Sequence, residues 1–220
     1  MIGVGNILLL ADVSAPSTDA LVKALTTAGN TVTVHTPEYT WDTTNPPLAG
    51  FNCVVHLDGA TYFIPLPPQS QTALENFVNN GGGFIASQWD GYERSQNIQT
   101  DLPDLVLQLW ATASSQNCGG CNVTYNVVPG QENHPVLAGV PSSFTFFADA
   151  HDASAAVPFT TNPSTVLMTV PAGGPAVLVR QFGNGRVVNF SWAPNYNTTL
   201  TLLDPNVQRL YTNAASWACQ

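Results

Sequence analysis

Short apolar runs alternate with segments of helical periodicity along the first ninety residues, a pattern typical of a parallel α/β sheet. Continuous apolar or β-branched runs predict strands, and the run at residues 7–10 is typical of a strand buried on both faces. These predicted strands are residues 7–10, 31–35, 53–57 and 84–87. Between them, helical spacing predicts one helix that Ser17 caps and Gly29 ends, and a second that begins at Pro68 and ends at residues 81–83.

The second half of the chain predicts more strands and fewer helices. Residues 102–110 predict a short helix that Asp101 caps, and a loop containing two cysteines follows it. Further strands are predicted at residues 123–128, 166–170, 176–182 and 186–192. The last two flank a Gly-Asn-Gly turn at 183–185 that tolerates positive φ, which predicts an antiparallel hairpin extending the sheet. A final helix begins at Asp204 and Pro205, an N-cap followed by an N1 proline.

Composition and charge exclude several classes of partner. Only 9% of the 220 residues are charged and the net charge is −9, while 23 Thr and 19 Asn supply neutral polarity. This charge would repel a phosphate backbone and an anionic lipid surface, so we expect no nucleic-acid partner. No apolar stretch reaches the 18 residues that would span a bilayer, so we expect no membrane insertion. Without an internal repeat or a linker, residues 1–220 predict a single domain.

The four cysteines and the neutral surface favour a protein that is secreted or displayed on a cell surface. Cys118 and Cys121 are close enough in sequence for a local disulfide, with a structural zinc site and redox catalysis as the alternatives. A second bridge between Cys53 and Cys219 is possible if the last helix docks beside the third strand. The chain as given begins without the basic region and cleavage site of a signal peptide.

Six segments, taken in order, resemble the class I glutamine amidotransferase-like superfamily, and within it the trehalose-utilisation (ThuA-like) branch. They are ILLLAD at 7–12, TDAL at 18–21, FNCVVHLD at 51–58, QTALENFVNNGGGF at 71–84, NHPVLAGV at 133–140 and GNGRVVNF at 183–190. The resemblance implies a flavodoxin-like three-layer sandwich, with a mainly parallel central sheet and the C-terminal antiparallel hairpin extension. This fold class agrees with the periodicity.

The resemblance also shows where this sequence departs from the enzymes. In amidotransferases a nucleophilic cysteine stands on the sharp turn after the fourth strand, and the corresponding residue is Gln88, whose amide cannot act as a nucleophile. ThuA-like proteins often carry histidine at that position, and this chain does not. No serine or cysteine triad is recognisable either, so the nucleophile position is degenerate and we lean against an enzyme.

Ligands of open parallel sheets bind at the carboxyl ends of the strands, and this rule selects the first set of candidate residues. They are Asp12, Asp58, Tyr62, Ser87, Gln88, Trp89, Asp90, Tyr92, Glu93, Trp192 and Tyr196. Aromatic rings that stack on sugar faces, beside carboxylates and amides that bind hydroxyls, suit a neutral carbohydrate. The structural alternative is that the two aspartates cap the following turns and that the tryptophans belong to the core.

A second candidate group contains Asp149 and His151, which lie two residues apart and so on one face of an extended segment. A carboxylate beside an imidazole can orient it as a general base. Two hypotheses follow. The first is a non-catalytic module that binds carbohydrate or other copies of itself. The alternative is a carbohydrate-active hydrolase or isomerase that uses Asp149, His151 and Glu93. Neither requires a cofactor or a metal, and we expect none.

Overall fold

A computed structural model describes residues 5–98, 102–111, 117–196 and 200–220. The strands are β1 (Asn6–Ala11), β2 (Thr31–His35), β3 (Cys53–Leu57), β4 (Gly83–Ala86), β5 (Gln108–Leu109), β6 (Asn117–Val127), β7 (Ser143–Asp152), β8 (Ala155–Ala156), β9 (Thr165–Thr169), β10 (Pro175–Phe182), β11 (Gly185–Phe190) and β12 (Trp192–Ala193). The α-helices are α1 (Pro16–Thr27), α2 (Pro68–Asn79), α3 (Gln88–Ser95) and α4 (Pro205–Ala218). Short 3₁₀ turns occupy Glu38–Thr40, Pro135–Leu137 and Thr201–Leu203.

Ten strands form one sheet in the order β12-β7-β6-β9-β10-β11-β4-β3-β1-β2. From β2 to β11 the pairings are parallel, and from β11 to β12 they are antiparallel. The fold class predicted from the sequence is confirmed. The antiparallel extension is larger than the predicted hairpin, because β6, β7, β9 and β12 continue it beyond β10. Strands β5 and β8 pair separately.

Alternating residues of the parallel strands enter two different cores, which makes three layers. Ile7 and Leu9 of β1 pack with α1 and α4 on one face, whereas Leu8 and Leu10 pack with α2 on the other. Successive side chains of a strand point to opposite faces, so a strand covered by helices on both sides must be apolar throughout. This requirement explains why β1 appears in the sequence as an uninterrupted apolar run.

Helix α1 begins differently from the prediction. Pro16 occupies its first turn and Ala15 stands at the N-cap, so Ser17 lies inside the helix and does not cap it. The Ser17 hydroxyl donates to Asn195 Oδ1 at 2.5 Å instead, which joins α1 to the loop after β12. The other ends agree with the sequence: Gly29 has φ of +99°, and Asp204 caps α4 through the backbone N–H groups of residues 206 and 207.

The predicted helix at residues 102–110 is wrong. Residues 103–105 form a turn, and Gln108 and Leu109 are the strand β5; the proposed cap, Asp101, lies outside the described residues. Tertiary hydrogen bonds hold the extended backbone, since the Leu107 N–H donates to Asn189 Oδ1 at 2.6 Å and Gln108 Nε2 donates to the Phe190 carbonyl at 2.8 Å. These bonds outweigh a helical periodicity of only nine residues.

Both cysteine pairs are bridged, so the chain has no free thiol. Cys118 and Cys121, expected in a loop, lie in β6, which begins at Asn117 and not near residue 123. The Cys53–Cys219 bridge links β3 to the end of α4 with Cα atoms 4.9 Å apart. The disulfides expected from the sequence are therefore present. Within the described part of the chain, no helix is both long and apolar enough to cross a membrane.

Candidate functional site

The carboxyl ends of β1, β3 and β4 meet at one edge of the parallel half of the sheet. Asp12 directly follows β1, Asp58 follows β3, and Ser87 with Gln88 follows β4. Neighbouring parallel strands end at the same edge, so these side chains are brought together although they are far apart in sequence. We call this place the strand-end site, and its polar members are Asp12, Glu38, His56, Asp58, Gln88, Asp90 and Glu93.

The turn from β4 into α3 holds Gln88 at the tip of a central parallel strand. Ser87 precedes α3, and its backbone N–H donates to Asp90 Oδ2 at 3.0 Å, a bond typical of a capping box. The Ser87 hydroxyl also donates to the Asp58 carbonyl at 3.3 Å, which ties the turn to the end of β3. Gln88 is the first residue of the helix and is only 2% exposed.

A histidine–aspartate ion pair lies beneath this turn. His56 Nδ1 and Asp90 Oδ1 are 2.7 Å apart, and their side chains are 2% and 0% exposed. Burial by itself lowers the pKa of His56, but the charge and the hydrogen bond of Asp90 outweigh burial and raise that pKa to about 9. His56 is therefore an imidazolium at neutral pH, and Asp90 fixes the orientation of its ring.

Buried carboxyl groups surround the pair. Burial, followed by the charges of Glu93, Asp90, Glu38 and Asp12, raises the pKa of Asp58 well above its ordinary value. Like charges in a low dielectric cannot all ionise, so Asp58 keeps its proton to higher pH than a solvent-exposed aspartate.

Asp12 has a structural role in addition to its place in the site. Its Oδ2 accepts from the Ala60 N–H at 2.5 Å and its Oδ1 accepts from the Val13 N–H at 2.8 Å, which joins the end of β1 to the loop after β3. Burial raises the pKa of Asp12 to about 6. The loop after β3 requires a glycine at residue 59, because a Cβ on Gly59 would stand 2.2 Å from the Pro194 carbonyl oxygen.

Several buried polar atoms of this site have no hydrogen-bond partner among the described residues. They are both carboxyl oxygens of Asp58, both amide atoms of Gln88, Oε2 of Glu38 and Nε2 of His56. Orphaned buried groups cost free energy unless water or a ligand satisfies them. Their concentration at the strand ends makes this edge the candidate site for a polar ligand.

Aromatic rings cover the adjacent surface. Trp89 stacks on Tyr62 with centroids 4.5 Å apart and contacts Tyr196 at 5.0 Å and Tyr92 at 5.3 Å. We call these four residues the aromatic cluster. The indole Nε1 of Trp89 is buried and lacks an acceptor within the described ranges, so it is one more donor beside the site. The rings of the three tyrosines are partly exposed, whereas Trp89 is 8% exposed.

Trp192, also selected from the sequence as a ligand-binding candidate, does not belong to the aromatic cluster. Its ring is completely buried in the core, where it stacks on Phe190 with centroids 4.3 Å apart. The indole N–H donates to the Tyr211 hydroxyl at 3.2 Å, so its polar atom is already satisfied. The structural alternative considered for the tryptophans therefore holds for this one.

The structure places Asp149 and His151 on β7, both buried. The backbone N–H of Asp149 donates to the Thr201 hydroxyl at 2.8 Å. His151 lines a cavity of about 350 Å³ beside the Cys118–Cys121 bridge and packs against Tyr125 at 5.6 Å. Glu93, by contrast, lies on α3 and acts electrostatically on His56.

Two members of the strand-end site escape the sequence reasoning. His56 lies in a predicted strand and Glu38 in a short 3₁₀ turn, where the Thr61 hydroxyl donates to Glu38 Oε1 at 2.6 Å. The position of His56 two residues before Asp58, at the end of a buried strand, is a signal that could have found it. For Glu38 no local pattern exists, since its place depends on how the loop after β2 folds back. In the described residues, no group of three or more potential ligands is arranged to hold a metal ion.

Comparison with known proteins agrees with this geometry. The family model for ThuA, described as trehalose utilisation, matches residues 10–218. The chain belongs to the ThuA family. No curated protein shows significant similarity to the sequence. The ThuA match covers every element from the end of β1 through α4, and so the whole strand-end site.

Solved structures give the same fold at low sequence identity. A cytoplasmic protein of Salmonella typhimurium has a TM-score of 0.66 at 14% identity, covering 97% of this chain and 98% of its own. A putative ThuA-like protein of Bacteroides uniformis has a TM-score of 0.64 at 16% identity, covering 95% and 88%. PurLQS of Thermotoga maritima has a TM-score of 0.61 at 12% identity, covering 96% and 98%. These likenesses support the amidotransferase-like fold that the sequence predicted.

Proposed function

We propose that this ThuA-family domain binds a small, neutral, hydroxyl-rich ligand, a carbohydrate or a polyol, non-covalently at the strand-end site. The observation that carries the proposal is Gln88. Its side chain is almost completely buried at the tip of a central strand, yet neither amide atom has a partner among the described residues. A carboxamide both donates and accepts, as a sugar hydroxyl does, so one hydroxyl pair can satisfy it.

Asp58 extends the same reasoning. Its raised pKa favours the neutral acid, which offers one donor and further acceptors without the cost of a buried charge. A protonated Asp58 beside the uncharged amide of Gln88 is better matched to hydroxyl groups than to a charged ligand. The aromatic cluster beside it supplies ring faces on which a sugar can stack. The family description, trehalose utilisation, supports a sugar as the ligand.

Covalent chemistry of the amidotransferase kind is not part of the proposal. The residue on the sharp turn after β4 is Gln88, whose side chain is an amide. All four cysteines are bridged, so no thiolate is available as a nucleophile. The domain then retains the scaffold of an enzyme superfamily and uses it for binding.

A glycan array that includes trehalose tests this function, with wild-type protein beside Trp89→Ala and Trp217→Ala. Trp217 is the matched control because it is a half-buried tryptophan near the end of α4, away from the aromatic cluster. We expect selective binding to a few neutral glycans, lost in Trp89→Ala and kept in Trp217→Ala. Flat signals across all glycans would refute the proposal.

A second candidate, acid–base catalysis on a carbohydrate, is favoured by one observation. The His56–Asp90 pair is buried beside an aspartate whose pKa is raised, and such a pairing of titratable groups is common at catalytic sites. This candidate replaces the earlier assignment to Asp149 and His151 with residues of the strand-end site. Incubation of array-positive sugars with the protein, followed by NMR, distinguishes the two. Turnover that Asp58→Asn abolishes would establish the enzyme, and unchanged sugars would leave binding as the function.

We also propose that the protein works in an oxidising compartment, as a secreted or surface module. Both disulfides support this, since such bridges persist outside the cytosol. The Thr- and Asn-rich surface offers neutral hydrogen-bonding groups for contacts between copies, which favours self-association despite the net charge of −9. Sedimentation at increasing protein concentration tests self-association, and a constant monomer mass into the millimolar range would exclude self-association.

A further inference from the structure

Basic residues are concentrated along one groove, far from an even distribution. The α1–α4 groove consists of two adjoining cavities of about 640 and 800 Å³, which share Ala28, Arg209, Thr212 and Asn213 in their walls. Lys23 lines the first and Arg186 the second. Three of the five basic residues of the chain therefore border this groove. The chain has 14 acidic residues, and none of those described lines either cavity.

The charges of these three residues are not neutralised by ion pairs. Both ion pairs found among the described residues use other partners. Arg186 donates from Nη1 to the Trp217 carbonyl at 2.5 Å and to Gln220 Oε1 at 3.3 Å, and both of these acceptors are neutral. Arg209 is exposed, and neither ion pair of the described residues includes it. The groove therefore carries positive charge in a protein whose net charge is −9.

The rest of the wall is neutral and polar, with one aromatic face. Gln208 and Thr212 lie on α4 beside Arg209, and Ser216 lies one turn further along. The half-buried ring of Trp217 borders the larger cavity, and the Arg186 guanidinium lies 5.2 Å from its centroid. Hydroxyl and amide groups around a cationic centre suit a ligand that has an anionic end and a hydroxylated body.

We propose that the α1–α4 groove binds a phosphate monoester of a small hydroxylated compound. A phosphate monoester carries nearly two negative charges at pH 7. Arg209, which borders both cavities, can bind its oxygens through two parallel hydrogen bonds, and Lys23 and Arg186 add positive charge in the smaller and the larger cavity. The acidic remainder of the surface repels anions, which restricts them to this groove. The proposal stands apart from the strand-end site, whose residues lie at the carboxyl ends of the strands.

Calorimetric titration with glucose 6-phosphate tests the proposal on the full chain. We expect saturable binding that weakens with salt, weakens at least tenfold in Arg209→Gln, and weakens about threefold in Lys23→Gln because a lysine acts only as a point charge. Inorganic phosphate should compete. Excess glucose should not change the affinity, since a neutral sugar would occupy only the strand-end site. The titration with glucose 6-phosphate therefore tests the groove independently of sugar binding at the strand-end site.

A compensated variant distinguishes a local site from an effect of net charge. Asp42 is an exposed residue in the loop after the Glu38–Thr40 turn. Adding Asp42→Asn to Arg209→Gln returns the net charge to the wild-type value. The double variant should bind as weakly as Arg209→Gln, and both should unfold at the wild-type denaturant concentration. Three results would overturn the proposal: no binding of glucose 6-phosphate, full affinity in Arg209→Gln, or recovery of affinity in the double variant.

Discussion

Raising the pH from 5 to 8 should weaken the fold, because the strand-end site holds groups that bind protons more tightly in the native state. Burial raises the pKa of Asp12 from 3.8 to about 6. For His56, burial acts downward, but Asp90 outweighs it and raises the pKa from 6.5 to about 9. In both cases the native pKa lies above the unfolded one, so stability falls as the pH rises from the unfolded value to the native one.

The size of the effect follows from these values. Between pH 5 and 8 the unfavourable ionisation of Asp12 costs about 1 kcal/mol. Over the same range His56 loses its proton in the unfolded chain but keeps it in the folded one, which removes about 2 kcal/mol of its contribution. Together they lower the free energy of unfolding by about 3 kcal/mol, a large share of the roughly 5–15 kcal/mol that a domain has. Asp58, whose pKa is also raised, acts in the same direction.

Urea unfolding at pH 5, 6, 7 and 8 measures this decline. Asp58→Asn removes one buried ionisable group, so the variant should exceed the wild type in stability at pH 8, and by less at pH 5. Asp42→Asn is the control, because hydrogen bonds from Thr44 lower the pKa of that exposed carboxyl and it stays ionised throughout the range. Wild-type stability that is constant or rises from pH 5 to 8 would refute the reasoning.

Two further predictions concern the scaffold. The Cys53–Cys219 bridge closes a loop with a sequence separation of 166, so replacing both cysteines with alanine should lower the free energy of unfolding by up to roughly 5 kcal/mol. Removing the Cys118–Cys121 bridge, with its separation of 3, should lower it by roughly 2 kcal/mol. Equal losses in urea unfolding would contradict this. A Cβ on Gly185 would stand 2.1 Å from the Val78 carbonyl oxygen, so Gly185→Ala should lower stability by about 2 kcal/mol or more, whereas Gly119→Ala, with open space around it, should change it by less than about 0.5 kcal/mol.

The parallel half of the sheet could be predicted because its strands obey a local rule. The run at residues 7–10 is apolar throughout because both of its faces are covered, and the third and fourth strands follow the same rule. Helix α4 was equally clear, since Asp204 and Pro205 define its start within two residues. The place of Gln88 followed from the fourth strand and the resemblance combined.

The parts that could not be predicted depend on contacts between distant segments. Residues 102–110 have helical spacing, but bonds to the end of β11 hold them extended. The pairing of β6 with β7 joins segments separated by a long loop and places the cysteines in a strand. In the strand-end site, the histidine–aspartate pair joins residues 34 positions apart, which no local pattern reveals. Trp192 is of a residue type that often stacks on ligands, and only its packing against Phe190 shows that it belongs to the core.

Calorimetric titration of the strongest array-positive sugar into wild-type protein and Gln88→Leu is the decisive measurement. Leucine has nearly the volume of glutamine but its side chain cannot hydrogen-bond. The fold should therefore persist, while the ligand's hydroxyl groups lose the amide donor and acceptor of Gln88. We expect the affinity to fall at least tenfold, which corresponds to about 1.4 kcal/mol. An unchanged dissociation constant in Gln88→Leu would show that the ligand does not bind at the tip of β4.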